Sequence, residues 1–216
     1  MSSDLGAAAG TPLLARCAGR ALAGYCKTMT SLEIVWMAPW APECPRIFYV
    51  NHASHADAAL VWAAFPPPLR PRVRPVAATE YWVQGPVRRF MAARVLRAVM
   101  VDRNLQGRGG NALQRMEEAL RQGDSLILFP EGTRNPGAGL LPFKPGLFHL
   151  HRNCPEAEIQ PVWVDNPRRG MPKGALLPIP LLCRATFGPL LPDRPDENMD
   201  AFLGRAREAL LALRTP

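Results

Sequence analysis

Residues 49 to 60 read YVNHASHADAAL, and two histidines, a serine and an aspartate fall within six positions of one another. They follow the strand-like RIFYV and precede the helix-like DAALVWAAF. If His52 ends the strand and Asp57 opens the helix, the turn between them folds the carboxylate back onto the imidazole. One ring nitrogen then faces Asp57 while the other is left to take a proton, and the carboxylate stabilises the imidazolium that forms. This is a general base with its orienting acid and no nucleophile beside it: Ser54 needs a sharp turn to reach His52, and no G-x-S-x-G elbow surrounds it. A hydroxyl on a substrate would then supply the proton. Two other readings stand at this point. Asp57 can cap a helix in a polar turn. Alternatively, His52, His55 and Asp57 can be read as metal ligands, although H-x-x-H-x-D matches neither H-E-x-x-H nor H-x-H-x-D-H and ligands elsewhere are scarce. HLHRNC at 149–154 is the other His and Cys cluster, and its histidines read as core or surface residues.

The second stretch with chemical content is LILFPEGTRNPG, 126–137. A buried strand ends at Phe129, and Glu131, Gly132, Thr133 and Arg134 arrive together where the carboxyl ends of α/β strands place ligands. Gly132 permits close backbone approach, Thr133 offers a hydroxyl, and Arg134 offers the planar fork suited to phosphate. FKPG at 143–146 adds Lys144 as a second cation. This reads as a phosphate-handling loop without a Walker lysine; the plain alternative is a turn with a surface salt bridge.

The elements that must position these loops are legible as alternating patterns. PLLARCAGRALAGYCKTM, 12–29, has helical spacing that puts Leu14, Ala18, Ala21, Leu22, Tyr25 and Met29 on one face, with Arg16, Arg20 and Lys27 largely off it. Within 1–30 this helix either lies on a membrane interface or covers the core. SLEIVWMAP and PRIFYV read as two adjacent strands, ALVWAAF as a helix closed by the prolines at 66–68, and VRPVAA as a strand. PVRRFMAARVLRAVM reads as a basic amphipathic helix running into a strand at AVMV. A helix stopped by Gly123, the strand SLILF, the strands EIQPVWV and CRATFG, and a final helix with Asp196 at its N-cap complete the chain. The expectation is one α/β domain over 1–216, with a mixed, largely parallel sheet flanked by helices on both faces.

Composition narrows the partners. The chain has 216 residues, a formal charge of +8 and a pI of about 9.8, which points to an anionic partner. Residues 70–108 hold nine arginines against Glu80 and Asp102, a net +7 of that +8. Five cysteines without a CxxC pair suggest neither a disulfide framework nor a zinc ribbon, and fit a reducing, cytoplasmic compartment. The first residues lack the pattern of a cleavable signal, and no uncharged apolar run approaches the roughly 18 residues of a membrane span.

Asn51-His52-x-Ser54-x-x-Asp57 followed by FPEGTR resembles the glycerolipid acyltransferases, the 1-acylglycerol-3-phosphate acyltransferases and their relatives. Their blocks are an HxxxxD loop, a central Arg, the FPEGTR loop and a Pro-containing strand. Here they correspond, in order, to His52 and Asp57, to Arg103 in VMVDR, to Phe129–Arg134, and to Pro161 in IQPVWV. The likeness runs from about residue 45 to 190 and includes MPKGALLPIPLLCRATFG, 171–188, which is similar to small bacterial members. It departs at AATEYW, where Thr79 stands before the Glu in place of a basic residue common in the family.

The resemblance implies transfer of a fatty acyl group from acyl-CoA or acyl carrier protein to the hydroxyl of a lysophospholipid, foremost 1-acylglycerol-3-phosphate, with no bound cofactor or metal; another lysolipid acceptor such as lyso-ornithine lipid, or a non-catalytic lipid-binding protein on this fold, is the alternative. His52 would deprotonate the hydroxyl and return a proton to the thiolate, with Asp57 holding the charged ring. Arg103, Gly132, Thr133, Arg134 and Lys144 would bind the acceptor, with Glu131 organising these donors and Pro161 of the last block also at the substrate. An anionic membrane surface then accounts for arginines set beside Phe90, Met91, Val95 and Leu96, as in a peripheral protein of the cytoplasmic face. Nucleic acid is disfavoured, because no nucleic-acid motif and no aromatics interleaved with the basics are present.

Overall fold

The computed structural model describes residues 13–39, 43–54, 56–102, 109–135, 137, 139–165 and 182–214. Arg103, His55 and most of the 171–188 segment singled out above lie outside them. Seven strands form one sheet among the described residues: β1 (Glu33–Trp36), β2 (Arg46–Val50), β3 (Val73–Ala78), β4 (Val99–Val101), β5 (Ser125–Leu128), β6 (Glu158–Asp165) and β7 (Arg184–Phe187). Their order is β1-β7-β6-β2-β5-β3-β4. All neighbouring pairs are parallel except β6 with β7, so the sheet is mixed and largely parallel. β1 and β2, expected side by side, are separated by β7 and β6. Their two apolar runs carry the same local signal, and only long-range pairing decides which neighbour each takes.

β2 is buried throughout, and its alternating side chains feed two cores. Phe48 and Val50 face a cluster with α1 (Leu13–Thr30) and α2 (Asp57–Ala64), while Ile47 and Tyr49 face one with α5 (Gly109–Arg121), α6 (Gly146–Asn153) and α7 (Met199–Leu211). Helices thus cover both faces, as a parallel sheet requires. α2 is apolar on every side and buried from Leu60 to Ala64, because it lies between the sheet and α1.

α1 packs on that layer through small residues, with Ala15, Gly19, Ala23 and Cys26 buried. A Cβ on Gly19 would fall 3.2 Å from the Trp62 ring, so a close helix approach is built in. The apolar face expected from its spacing is turned outward at Leu14 (69% exposed) and Tyr25 (62% exposed), while Ala18 and Leu22 are half-buried against the core. Small size, not hydrophobicity, decided which face docks.

Two local expectations are corrected. The helix over PVRRFMAARV is α4 (Pro86–Phe90) widening into a π-turn at Met91–Val95, where the Leu96 amide donates to the Met91 carbonyl. The turn closes at Arg97, in the left-handed region with φ 50°. At the last helix the N-cap is Asn198, whose side chain accepts from the Ala201 amide, rather than Asp196.

Candidate active site

β2 and β5 are parallel neighbours, so the loops leaving their carboxyl ends emerge side by side. The first begins at Asn51, whose side chain donates to the Val164 carbonyl at 3.0 Å and accepts from the Val164 amide at 2.7 Å. This locks the end of β2 to β6 just before His52. Asp57 opens α2 and is fully buried. Its Oδ2 lies 3.1 Å from His52 Nδ1 and accepts from the Ala53 and Ser54 amides at 2.7 Å each. One carboxylate oxygen therefore shapes the turn and orients the ring, leaving Nε2 as the nitrogen not engaged with Asp57. The Ser54 hydroxyl accepts from the Ala56 amide, which commits it to the turn.

The second loop grips the first from both sides. Glu131 is buried, and its Oε1 accepts from the His52 amide at 2.8 Å while Oε2 accepts from the Leu141 amide at 2.8 Å. The Asn135 amide in turn donates to the His52 carbonyl at 2.8 Å. Asn135 steadies its own loop through Gly139 and Gly137. The Phe129 ring stacks on the imidazole with centroids 4.2 Å apart. Glu131 thus faces inward, its two oxygens taken by backbone amides rather than by the cations of this loop.

Gly132 has φ 69°, which favours glycine, and a Cβ there would fall 3.2 Å from Lys144 Cγ, so the lysine stem packs closely across the turn. The Lys144 amide donates to the Pro130 carbonyl, which brings FKPG against the loop. Thr133, Arg134 and Lys144 are exposed. With His52 they line one cavity of about 390 Å³. Its remaining walls are mostly small or apolar, among them Ala58, Ala77, Ala98, Leu96, Met116 and Leu147. Glu80, Tyr81 and Trp82 stand at the same cavity, while the Thr79 hydroxyl is spent on the Val101 carbonyl.

Of the residues expected at the site, His52, Gly132, Thr133, Arg134 and Lys144 meet at this cavity, with Asp57 and Glu131 directly behind them. Pro161 is not among the residues lining it. It is buried within β6 opposite Tyr49, and its carbonyl accepts from the Gly188 amide. Phe129 and Asn135 were not singled out individually. Both sit inside the FPEGTRN run, where only the folded loop shows that one stacks on His52 and the other holds its carbonyl.

The acyltransferase family model matches residues 37–165, which contain both loops. The chain belongs to the acyltransferase family. Among curated relatives, a 1-acyl-sn-glycerol-3-phosphate acyltransferase of Haemophilus influenzae is 36% identical over 70 residues, covering 32% of this chain and 24% of that protein. A lyso-ornithine lipid O-acyltransferase of Brucella abortus is 28% identical over 142 residues, covering 61% and 49%. The chain spans less than half the length of these relatives. The crystal structure of the 1-acyl-sn-glycerophosphate (LPA) acyltransferase PlsC from Thermotoga maritima superposes with a TM-score of 0.66. The superposition covers 94% of this chain and 83% of that one at 20% identity, which establishes a shared acyltransferase fold.

Proposed function

We propose that this acyltransferase moves a fatty acyl group from a thioester, acyl-CoA or acyl carrier protein, to the free hydroxyl of a lysophospholipid, with 1-acylglycerol-3-phosphate as acceptor and phosphatidic acid as product. The observation that carries this reading is that the His52–Asp57 pair and the cations Arg134 and Lys144 face one cavity with apolar walls. The acceptor phosphate binds Arg134, Lys144 and the Thr133 hydroxyl, and its acyl chain lies along the apolar wall. His52 takes the hydroxyl proton as the oxygen attacks the thioester carbonyl, and Asp57 holds the imidazolium. The tetrahedral intermediate collapses by breaking the carbon–sulfur bond, and the proton on His52 passes to the leaving thiolate. Serine chemistry and an acyl-enzyme are not needed, and Ser54 is committed elsewhere. Arg103, the central arginine of the family pattern, is a further phosphate ligand in this reading.

The substrate is a membrane lipid, and no helix among the described residues is long and apolar enough to cross a membrane. Docking from the cytoplasmic face is the route we assign. The α3 (Thr79–Trp82) and α4 tip carries exposed Val83 and Val87 together with Arg88 and Arg89, next to Tyr81 and Trp82 at the cavity wall. Such a tip suits an anionic interface.

The lyso-ornithine lipid is the second acceptor to consider, since that relative matches the longer stretch of this chain. An acceptor panel with purified protein, following thiol release, separates the two. Rapid acylation of 1-acylglycerol-3-phosphate supports the assignment of Arg134 and Lys144. Rapid acylation of lyso-ornithine lipid with an inert phosphate acceptor would refute that assignment and leave the acyl-transfer chemistry intact.

A further inference from the structure

A second cavity, of about 520 Å³, lies at the other pole of the sheet. The His52 loop leaves the carboxyl end of β2. α2 then carries the chain back toward the amino ends of the strands, where Pro67, Pro68 and Pro71 line this cavity just before β3. The length of α2 alone, about 12 Å by helical rise, separates the two ends. Five arginines converge here from three segments: Arg16 and Arg20 from α1, Arg70 from the turn before β3, and Arg94 and Arg97 from the π-turn and its exit. Among the described residues, no acidic side chain lines it. Its apolar floor is Ala15, Gly19, Trp62 and Val95.

The arginines divide into two kinds. Arg70 is 7% exposed, donates to the Phe65 and Ala63 carbonyls, and lies over the Trp62 ring, so it is fixed in place. Arg97 donates to the Pro71 carbonyl and reaches Asp124 at 3.8 Å, although that carboxylate is already bound by Arg74 at 3.1 Å. Arg16, Arg20 and Arg94 are exposed and take no protein partner among the described residues. Gathering this much positive charge around a concave apolar floor costs repulsion that a bound anion would relieve. The widened helical turn and the left-handed backbone at Arg97 are the local distortions that bring Arg94 and Arg97 to the rim.

We infer that this cavity is a second anion site, distinct from the one at His52, which takes the phosphate of an amphiphile: the phosphate among the guanidinium groups and the apolar body on the floor. A free phosphate shares the charge chemistry and lacks the apolar part, and a neutral-headed lipid has the reverse. The inference makes no use of His52 chemistry and stands apart from the acyl-transfer reading.

The test is calorimetric titration in an Arg134→Ala, Lys144→Ala background, which removes the cations of the first cavity. The probes are soluble dihexanoyl phosphatidic acid, dihexanoyl phosphatidylcholine and inorganic phosphate. Phosphatidic acid should bind, and Arg16→Gln with Arg94→Gln should raise its Kd by at least about tenfold, since each loses a charge-assisted hydrogen bond. The pair Arg115→Gln, Arg121→Gln on α5 removes the same net charge elsewhere and should leave Kd within about twofold. Equal binding of inorganic phosphate, abolished by the same Arg16 and Arg94 changes, would keep the anion site but overturn the amphiphile as its occupant. Undiminished binding in the Arg16, Arg94 variant, equal loss in the α5 control, or equal binding of phosphatidylcholine would overturn the inference.

Discussion

Asp57 and Glu131 perform the same service on two loops: each is a buried carboxylate that accepts backbone amides at or beside His52, Asp57 through Oδ2 alone and Glu131 through both oxygens. Asp57 reaches the ring as well, while Glu131 reaches only the peptide, so Asp57 orients the imidazole and Glu131 holds its backbone. Glu131→Gln should therefore act through structure. One amide end must face an N–H donor, which leaves a buried mismatch costing about 1–3 kcal/mol. Thermal unfolding should show that loss, and turnover should fall with it because the His52 loop is no longer held; a variant as stable as wild type would mean the clamp is unimportant. At this scale much was legible in the sequence. The spacing of His52 and Asp57 across a strand–helix junction suggested their contact, because a short turn between those elements can fold the carboxylate back onto the ring, although a helix cap and a metal site were equally readable there. The inward role of Glu131 followed from charge, since a lone carboxylate repels the anion its neighbours attract. Phe129 and Asn135 were not legible, because stacking and a carbonyl contact depend on which loop lies alongside.

Among the elements, α6 and α7 meet through His151, which stacks on Phe202 with centroids 5.0 Å apart and pairs through Nε2 with Asp193 at 2.9 Å. Its Nδ1 is buried without a hydrogen-bond partner among the described residues. Burial pushes the imidazole below its ordinary 6.5, against the opposing pull of Asp193. As pH falls below 6.5 the unfolded chain takes up a proton that the folded chain resists, so this contact favours the fold at neutral pH and loses stability on the acid side. His151→Phe keeps the stacking and removes the titration. The fall in Tm between about pH 7.5 and about pH 5.5 should be smaller in the variant than in wild type, since it lacks this titrating group; an unchanged fall would place the acid sensitivity elsewhere. Element types were read correctly wherever periodicity and proline or glycine stops agreed, as at the strand SLILF after Gly123. Errors fell where a non-local choice decides: the neighbour of β1, the docking face of α1, and the widening of the helix at Met91.

For the whole molecule, net charge pointed to an anionic partner, and among the described residues exposed arginines cluster at the α3–α4 tip and around the cavity at the opposite pole, apart from Arg134 and Lys144 at the first cavity. The tip is the membrane contact in our reading. Val87→Asp with Arg88→Glu and Arg89→Glu should weaken binding to anionic vesicles, each reversed charge costing on the order of 1 kcal/mol or more, while a short-chain soluble acceptor is still turned over. Vesicle binding that is unchanged would assign these residues another partner. Arg88 also lies over the Tyr81 ring at 4.7 Å, so a soluble-substrate control is needed to separate docking from damage to the cavity wall. The account as a whole rests on His52 acting as the base that lets a lipid hydroxyl attack a thioester. Thiol release by purified wild type and His52→Ala, at saturating 1-acylglycerol-3-phosphate and acyl-CoA, tests it directly. The account predicts that the folded variant loses about 100-fold to 10,000-fold in turnover; a folded His52→Ala protein that turns over as fast as wild type would contradict it.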